Sequence, residues 1–157
     1  MRRSDREIKD IDEIKVVLEN TKIFHLALFD EEYPYIVSLH YGYELIDEKL
    51  FLYAHYAKQG HKLDCIDKNN KVCIEIDNDV SLVSGYDIAC RYGSLYSSII
   101  ARGTIEKIKD TNTKKHALKV LMKHQTGKDF EFNDKMVEPV EVLCFKSDSF
   151  TAKARKK

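Results

Sequence analysis

The sequence predicts a mainly β (α+β) domain, an antiparallel sheet or barrel of about six strands with flanking helices. Apolar and polar residues alternate from Tyr35 to Glu44, which is the period of a strand with one half-polar face. The apolar runs are joined mostly by short turns, such as residues 30–32 and 46–49. Short links favour antiparallel pairing, because parallel strands need long crossovers. We expect one domain over residues 1–157.

The composition argues against a protein that binds nucleic acid or associates with a membrane. The 157 residues carry 26 basic and 26 acidic side chains, so no global field attracts nucleic acid or an anionic membrane. No apolar run approaches the length of a membrane span. The start lacks a secretory pattern and the four cysteines form no CxxC pair, which predicts a cytoplasmic protein with reduced thiols. We expect Cys73 and Cys144 to be core residues and Cys90 to be the one candidate reactive thiol.

The predicted helices follow from capping residues and apolar spacing. Ile14, Val17 and Leu18 share a face of a first helix, which Asp10 or Asp12 caps. A short helix covers about residues 61–68, and a third begins after residues 110–112 and ends at Gly127. The predicted strands are residues 22–29, 35–44, 50–55, 71–77, 92–109 and 140–145, with 150–153 extending the last. Residues 78–91 are predicted to be a long connection and 130–139 to be irregular.

Residues 52–66, LYAHYAKQGHKLDCI, are the segment on which a functional interpretation depends. A strand ends here, the chain turns near Gly60, and a helix carrying Lys62 begins. The free N–H groups and dipole of a helix N-terminus favour an anion such as phosphate. Gly60 permits a close backbone approach and Lys62 adds a mobile charge. An ordinary strand-to-helix connection is the alternative interpretation.

The sequence lacks the motifs of metal sites, hydrolase active sites and nucleotide-binding loops. Six histidines are present, but none belongs to an HExxH, and His116 and His124 have no third ligand nearby in the sequence, so we predict no metal site. The chain also has no GxSxG, GxGxxG or GxxxxGK[ST] pattern. What remains beside the turn is a set of aromatic and polar residues on adjacent strands: His40, Tyr41, Tyr53, His55 and Tyr56. A flat ligand with a phosphate tail would suit them; packing in the barrel wall is the alternative.

Four segments in order resemble one known family. They are MRRSDREI at the start, PYIVSLHYGYE at 34–44, LYAHYAKQGHKLDCI at 52–66 and YSSIIARG at 96–103. Together they are similar to pyridoxamine 5′-phosphate oxidase-related proteins of the 5-nitroimidazole-resistance branch, over nearly the whole chain. The resemblance implies an FMN-binding split β-barrel, a homodimer with flavin at the subunit interface, and small-molecule electron donors and acceptors.

The resemblance also implies which residues contact the flavin. The implied cofactor-binding residues are Val37, Ser38, Leu39 and His40 at the ring and ribityl chain, His55, Tyr56, Ala57, Gly60 and Lys62 at the phosphate, and Tyr96, Ser97 and Ser98 closing the site, from either subunit. His40 and His61 are the implied catalytic proton donors. Ser38 or His40 would donate a hydrogen bond near the N1–C2 edge of the ring.

Three positions depart from the family pattern. Ser38 replaces a more usual proline, Tyr56 a small residue, and Ser97 an arginine that would anchor phosphate. Two functions therefore follow as expectations. One is an FMN-dependent oxidoreductase, with a nitro-aromatic as acceptor, and the other is a flavin- or haem-binding module without turnover.

Overall fold

Four α-helices of the described residues flank the sheet. The computed structural model describes residues 3–156, with Asp79 described by its backbone alone. The helices are α1 (Ile11–Asn20), α2 (His61–Lys68), α3 (Thr111–Thr126) and α4 (Asp134–Val137). Asp10 caps α1 by accepting from the N–H groups of Asp12 and Glu13, and Asp110 caps α3 in the same way through Thr113. Helix α3 ends at Gly127, whose φ of 73° is left-handed, as predicted.

All the strands of the described chain belong to one antiparallel sheet. They are β1 (Glu7–Ile8), β2 (Ile23–Leu28), β3 (Tyr35–His40), β4 (Gly42–Ile46), β5 (Lys49–Tyr56), β6 (Lys71–Val83), β7 (Gly93–Lys107) and β8 (Glu141–Arg155). The main path runs β3-β2-β6-β7-β8-β5-β4, and β1 pairs with β8. Its two ends, β3 and β4, are joined by Tyr41 alone. The sheet must therefore curl until its edges approach each other, which gives the split β-barrel with flanking helices that the sequence predicts.

Apolar residues pack on both faces of this curled sheet. The main core fills its concave side, includes Phe24, Ile74 and Phe145, and is extended by residues of α1 and α2. A second cluster lies where α3 and α4 cover the outside of β5 and β8, with Tyr53, Leu121 and Val142 among its members. Gly42 permits this close packing, because a Cβ there would lie 2.4 Å from the backbone nitrogen of Leu121.

The predicted number of strands was too low, because eight form within residues 3–156. Residues 35–44 are divided at Tyr41, so β3 and β4 lie at opposite edges of the sheet instead of forming the one strand predicted. Strand β6 continues to Val83 through a register shift between Asn78 and Ser81. That shift breaks the alternation of residues 78–83, which were predicted to be a connection. The two-residue β1 and the one-turn α4 are too short to show a repeating spacing of apolar residues in the sequence.

Two other predictions on elements are confirmed. Gly103 in the middle of the predicted strand 92–109 favours a bend or bulge, and a register shift in β7–β8 falls between Arg102 and Gly103. Strand β8 runs unbroken to Arg155 and so includes the predicted extension. None of the helices in the described chain is long and apolar enough to cross a membrane.

Candidate functional site

The turn between β5 and α2 has the backbone geometry that an anion site requires. Gly60 precedes the helix with φ 144° and ψ 154°, a conformation that is essentially restricted to glycine. No side chain caps α2, and the Leu63 N–H already donates to the Gly60 carbonyl at 2.8 Å. Within the described chain, the N–H groups of His61 and Lys62 are therefore left for a ligand. A Cβ built on Gly60 would meet nothing within 4 Å, so the space in front of the helix is open.

Lys62 and Tyr56 form one wall of this turn. The Lys62 ammonium lies 5.9 Å from the centroid of the Tyr56 ring, within the range of a cation–π contact. Tyr56 is 9% exposed and belongs to the main core. Burial, with smaller effects of Glu141 and Asp67, raises the pKa of its phenol to about 12. Tyr56 therefore supports Lys62 as a neutral packed ring, while Ala57 is exposed in the turn and His55 is exposed on the opposite face of β5.

The four predicted contacts on β3 point in two directions. Val37 and Leu39 pack against the main core, whereas Ser38 and His40 are exposed on the outer face. Strand β3 is the last strand of the sheet path, so half of its backbone groups face away from β2. A planar heterocycle could bond to those backbone groups along the open edge.

The two predicted proton donors lie at opposite ends of β3. The His61 ring packs edge-on against Tyr35, with centroids 4.9 Å apart, at the start of the strand. His40 ends the strand, and its Nδ1 lies 3.1 Å from Gln125 Oε1. Five residues of strand separate Tyr35 from His40, roughly 17 Å. One reacting atom cannot contact both histidines.

Tyr96, Ser97 and Ser98 lie in a different part of the chain. They pair with the end of β8, where Ser98 faces Lys153, while Tyr56 pairs with Glu141 at the start of β8. These two positions are twelve residues apart along β8. Arg6 donates to the Tyr96 hydroxyl at 3.1 Å and lowers the pKa of that phenol. Within one chain, the structure does not bring these residues to the turn.

Sequence reasoning missed a cluster beside the turn. His61 Nε2 lies 2.6 Å from Asp30 Oδ2 and 3.6 Å from the sulfur of Cys65. Asp30 comes from the loop after β2, whereas His61 and Cys65 are one helical turn apart on α2. The His61 hydrogen bond is the main reason that the pKa of Asp30 lies below its usual value. The i, i+4 spacing of His61 and Cys65 is the one sequence signal that could have found the pair.

A second cluster lies on the outer face next to Ser38. His25 pairs across the sheet with Ser38, and its Nδ1 lies 3.2 Å from Glu75 and 3.8 Å from Asp77. Burial, followed by the nearby Asp77 carboxylate, raises the pKa of Glu75. The exposed face near β3 therefore carries several groups that can exchange protons.

Comparison with known proteins gives the family. The sequence matches the pyridoxamine 5′-phosphate oxidase family over residues 10–154. The chain belongs to that family. No curated protein matches the sequence.

Among solved structures, the family member is 32% identical to a Bacteroides thetaiotaomicron protein whose suggested role is 5-nitroimidazole antibiotic resistance. The TM-score is 0.79, and the match covers 94% of this chain and 86% of the other. This likeness places the chain in the 5-nitroimidazole-resistance branch, so the resemblance predicted from the four segments is confirmed.

More distant structures show how widely the fold is used. The flavocytochrome Anf3 of Azotobacter vinelandii is 16% identical with a TM-score of 0.76, over 100% of this chain and 72% of its own. An FAD- and haem-binding protein of Mycobacterium smegmatis is 14% identical with a TM-score of 0.77, over 97% and 74%. At these identities the likeness concerns the fold alone.

The residues at the turn fit the phosphate end of a flavin nucleotide. They offer open space at Gly60, N–H groups without a side-chain cap, and Lys62 at the mouth. Open space and uncapped donors are what an anionic group at a helix N-terminus needs.

Proposed function

We propose that this family member is an FMN-binding oxidoreductase, which passes electrons from a reduced nicotinamide or similar donor to a small acceptor. The observation that carries the proposal is the uncapped, open turn from Tyr56 to Lys62, whose geometry suits a terminal phosphate. The 32% identical relative supports a nitro-aromatic such as a 5-nitroimidazole as the acceptor. When bound, the flavin supplies the hydride and one-electron chemistry, and the protein supplies position and electrostatics.

The two ends of β3 would then have different roles in binding and using the flavin. Lys62 and the first N–H groups of α2 hold the phosphate, and the open edge of β3 orients the ring through backbone groups and Ser38. His40 is the better placed proton donor of the two predicted histidines. Its Nδ1 faces Gln125 and the Lys22 carbonyl, while Nε2 has no hydrogen-bond partner in the described chain. His61 Nε2, in contrast, is engaged by Asp30 and Cys65.

We further propose a homodimer with the flavin between subunits. The argument is that the turn and Tyr96–Ser98 lie beside opposite ends of β8, twelve residues apart. If both segments contact one flavin, as the family resemblance implies, one chain supplies the turn and its partner supplies Tyr96–Ser98. Two equivalent sites per dimer follow, since a twofold axis repeats every contact.

Lys62→Ala tests the phosphate site. Loss of one charge-assisted contact should weaken FMN binding by about 1–3 kcal/mol, or roughly 5- to 150-fold in Kd. The measurement is titration of the flavin-free protein with FMN, followed by flavin fluorescence, beside an absorbance spectrum of the protein as purified.

Lys68→Ala is the matched control, because Lys68 lies at the other end of α2 and pairs with Glu31. Its FMN affinity should equal that of the wild type. An unchanged Kd in Lys62→Ala would remove Lys62 from the site. A colourless protein that binds no added FMN would refute the flavin proposal itself.

A binding module without turnover is the second candidate function. The observation that favours it is Ser97, a buried neutral hydroxyl where the family more often has an arginine. Without that charge, flavin can be bound and yet be poorly poised for transfer. Tight FMN binding without NAD(P)H oxidation, across a panel of nitro-aromatic and quinone acceptors, would select the module over the enzyme.

A further inference from the structure

Asp30, His61 and Cys65 place three different metal-ligand atoms within 4.8 Å of one another. The carboxylate comes from the loop after β2, and the imidazole and thiol come from adjacent turns of α2. The three atoms are Asp30 Oδ2, His61 Nε2 and Cys65 Sγ. We call these residues the 30/61/65 cluster. It links two elements that are separate in sequence.

The spacing of the cluster is close to that of a tetrahedral zinc site. Zinc bonds of about 2.0–2.1 Å to nitrogen and 2.3 Å to sulfur place the two ligands about 3.5 Å apart. The observed distance from His61 Nε2 to Cys65 Sγ is 3.6 Å. The nitrogen and oxygen ligands of such a site lie about 3.3 Å apart, against 2.6 Å observed. A small rotation of the half-exposed His61 ring opens that gap.

The surroundings orient these ligands as a metal site requires. The N–H of Glu31 donates to Asp30 Oδ1 at 2.9 Å, which leaves Oδ2 directed at His61. The Tyr35 ring packs edge-on against the imidazole. Cys65 is 2% exposed, so its position is set by the core. Such outer contacts fix the orientation of metal ligands and are part of a metal site.

The charge and ligand types also select the metal. A thiolate, a carboxylate and a neutral imidazole carry two negative charges, which balance one divalent cation. Borderline zinc accepts this mixed sulfur, nitrogen and oxygen set, whereas magnesium and calcium prefer oxygen alone. Lys68 pairs with Glu31 at 3.1 Å, so its ammonium is held by a carboxylate outside the cluster.

We propose that the 30/61/65 cluster binds one zinc ion, with water in the fourth position, and thereby fastens the start of α2 to the loop after β2. On binding, the Cys65 thiol releases its proton to solvent, and His61 and Asp30 bind in their neutral and anionic forms. The metal is independent of the flavin, because Lys62 and the N–H groups at the turn are not its ligands.

Cobalt titration of the full-length protein tests this site. Co²⁺ replaces zinc and reports a thiolate ligand through a sulfur-to-cobalt absorption band in the near ultraviolet. We expect one Co²⁺ per chain with that band, and its displacement by one equivalent of zinc measured by atomic emission. Cys65→Ala should abolish the band, and His61→Ala and Asp30→Asn should each weaken metal binding by about tenfold or more.

Three controls separate this site from alternatives. Cys90→Ala removes an exposed thiol from the connection between β6 and β7 and should retain the band. His25→Ala should retain it as well, because His25 belongs to the separate cluster with Glu75 and Asp77. Lys62→Ala should weaken FMN binding without changing metal stoichiometry, so failure of one proposal is distinguishable from failure of the other.

Two results would overturn the zinc proposal. One is an absence of the thiolate band in the wild type. The other is undiminished metal binding in both His61→Ala and Asp30→Asn, whose exposed or half-buried side chains can be changed without disturbing the core even if Cys65→Ala folds poorly.

Discussion

At the scale of single residues, His124 shows how packing sets a protonation state. Its ring lies 4.7 Å from the buried Tyr41 ring and 5.4 Å from Tyr43, and its Nε2–H donates to the Thr21 carbonyl at 2.8 Å. Burial lowers the pKa of His124, and Lys22 adds to the effect, while the Thr21 bond and Glu19 oppose it. His124 is half-buried where α3 meets β4.

This lowered pKa makes stability depend on pH in a definite direction. Below histidine's ordinary pKa of about 6.5, the unfolded chain binds a proton at His124 before the folded chain does. Stability therefore falls as pH falls from neutrality through that value. In urea unfolding at about pH 7.5 and about pH 5.5, on either side of that pKa, His124→Gln should lose less stability than the wild type. His55→Gln, on the exposed end of β5, should match the wild type, and an equal loss in all three proteins would contradict the argument.

The residues whose positions the sequence predicts are those that can be placed from their immediate neighbours in the chain. Gly60 and Lys62 stand beside a strand end and a helix start, so spacing alone places them at a turn. Asp30 meets His61 only because β2, β3 and α2 pack together, and no local pattern carries that contact. Tyr56 was predicted to touch a ligand, but the alternation of β5 places its ring in the core.

At the scale of elements, Tyr41 is the residue at which the chain passes from one edge of the sheet to the other. Alternation from Tyr35 to Glu44 is regular enough to predict one strand, because residues on both sides of the break have a buried face. The break appears only in tertiary contacts. Tyr41 is fully buried and donates to the Leu18 carbonyl at 2.8 Å, so the chain leaves one sheet edge and joins the other. Sequence patterns thus predicted that β3 and β4 are strands, but they did not predict where these strands lie in the sheet.

Gly42→Ala tests how closely β4 approaches α3. A Cβ at this position would lie 2.4 Å from the Leu121 backbone, and backbone of a packed helix cannot move aside as a flexible side chain can. The expected loss of unfolding free energy is about 1–3 kcal/mol, the range for overpacking, measured by urea denaturation.

Gly127→Ala is the matched comparison for that substitution. Its Cβ would meet nothing within 4 Å, but its φ of 73° is left-handed, so it should cost about 1 kcal/mol through backbone strain alone. A smaller loss for Gly42→Ala than for Gly127→Ala would show that α3 shifts easily.

At the scale of the whole molecule, the outer face of the sheet exposes large apolar side chains beside its polar ones. Ile36 is 61% and Ile100 is 42% exposed, and the register places both side chains on the face that also carries Ser38 and His25. Phe29 and Tyr33 extend this surface beyond β2. A stable dimer buries about 800 Å² on each partner, and we infer that a second copy of the chain covers this face.

Ile36→Glu tests the dimer and its connection to flavin binding together. A carboxylate buried in an apolar interface without a partner is costly, so sedimentation equilibrium should show a shift from dimer to monomer. If the flavin lies between subunits, FMN affinity should fall in the same variant. Ile46→Glu, on an exposed isoleucine at the β4–β5 turn, should remain dimeric and bind FMN normally.

Circular dichroism checks that both variants are folded. Sedimentation equilibrium then tests where the dimer interface lies, and FMN affinity tests whether the flavin lies between subunits. A variant Ile36→Glu that stays dimeric would place the interface elsewhere. A folded monomer with unchanged FMN affinity would show that one chain suffices for the flavin. Tyr96, Ser97 and Ser98 would then have no role in binding it, because they pair with the opposite end of β8 from the turn that holds the phosphate.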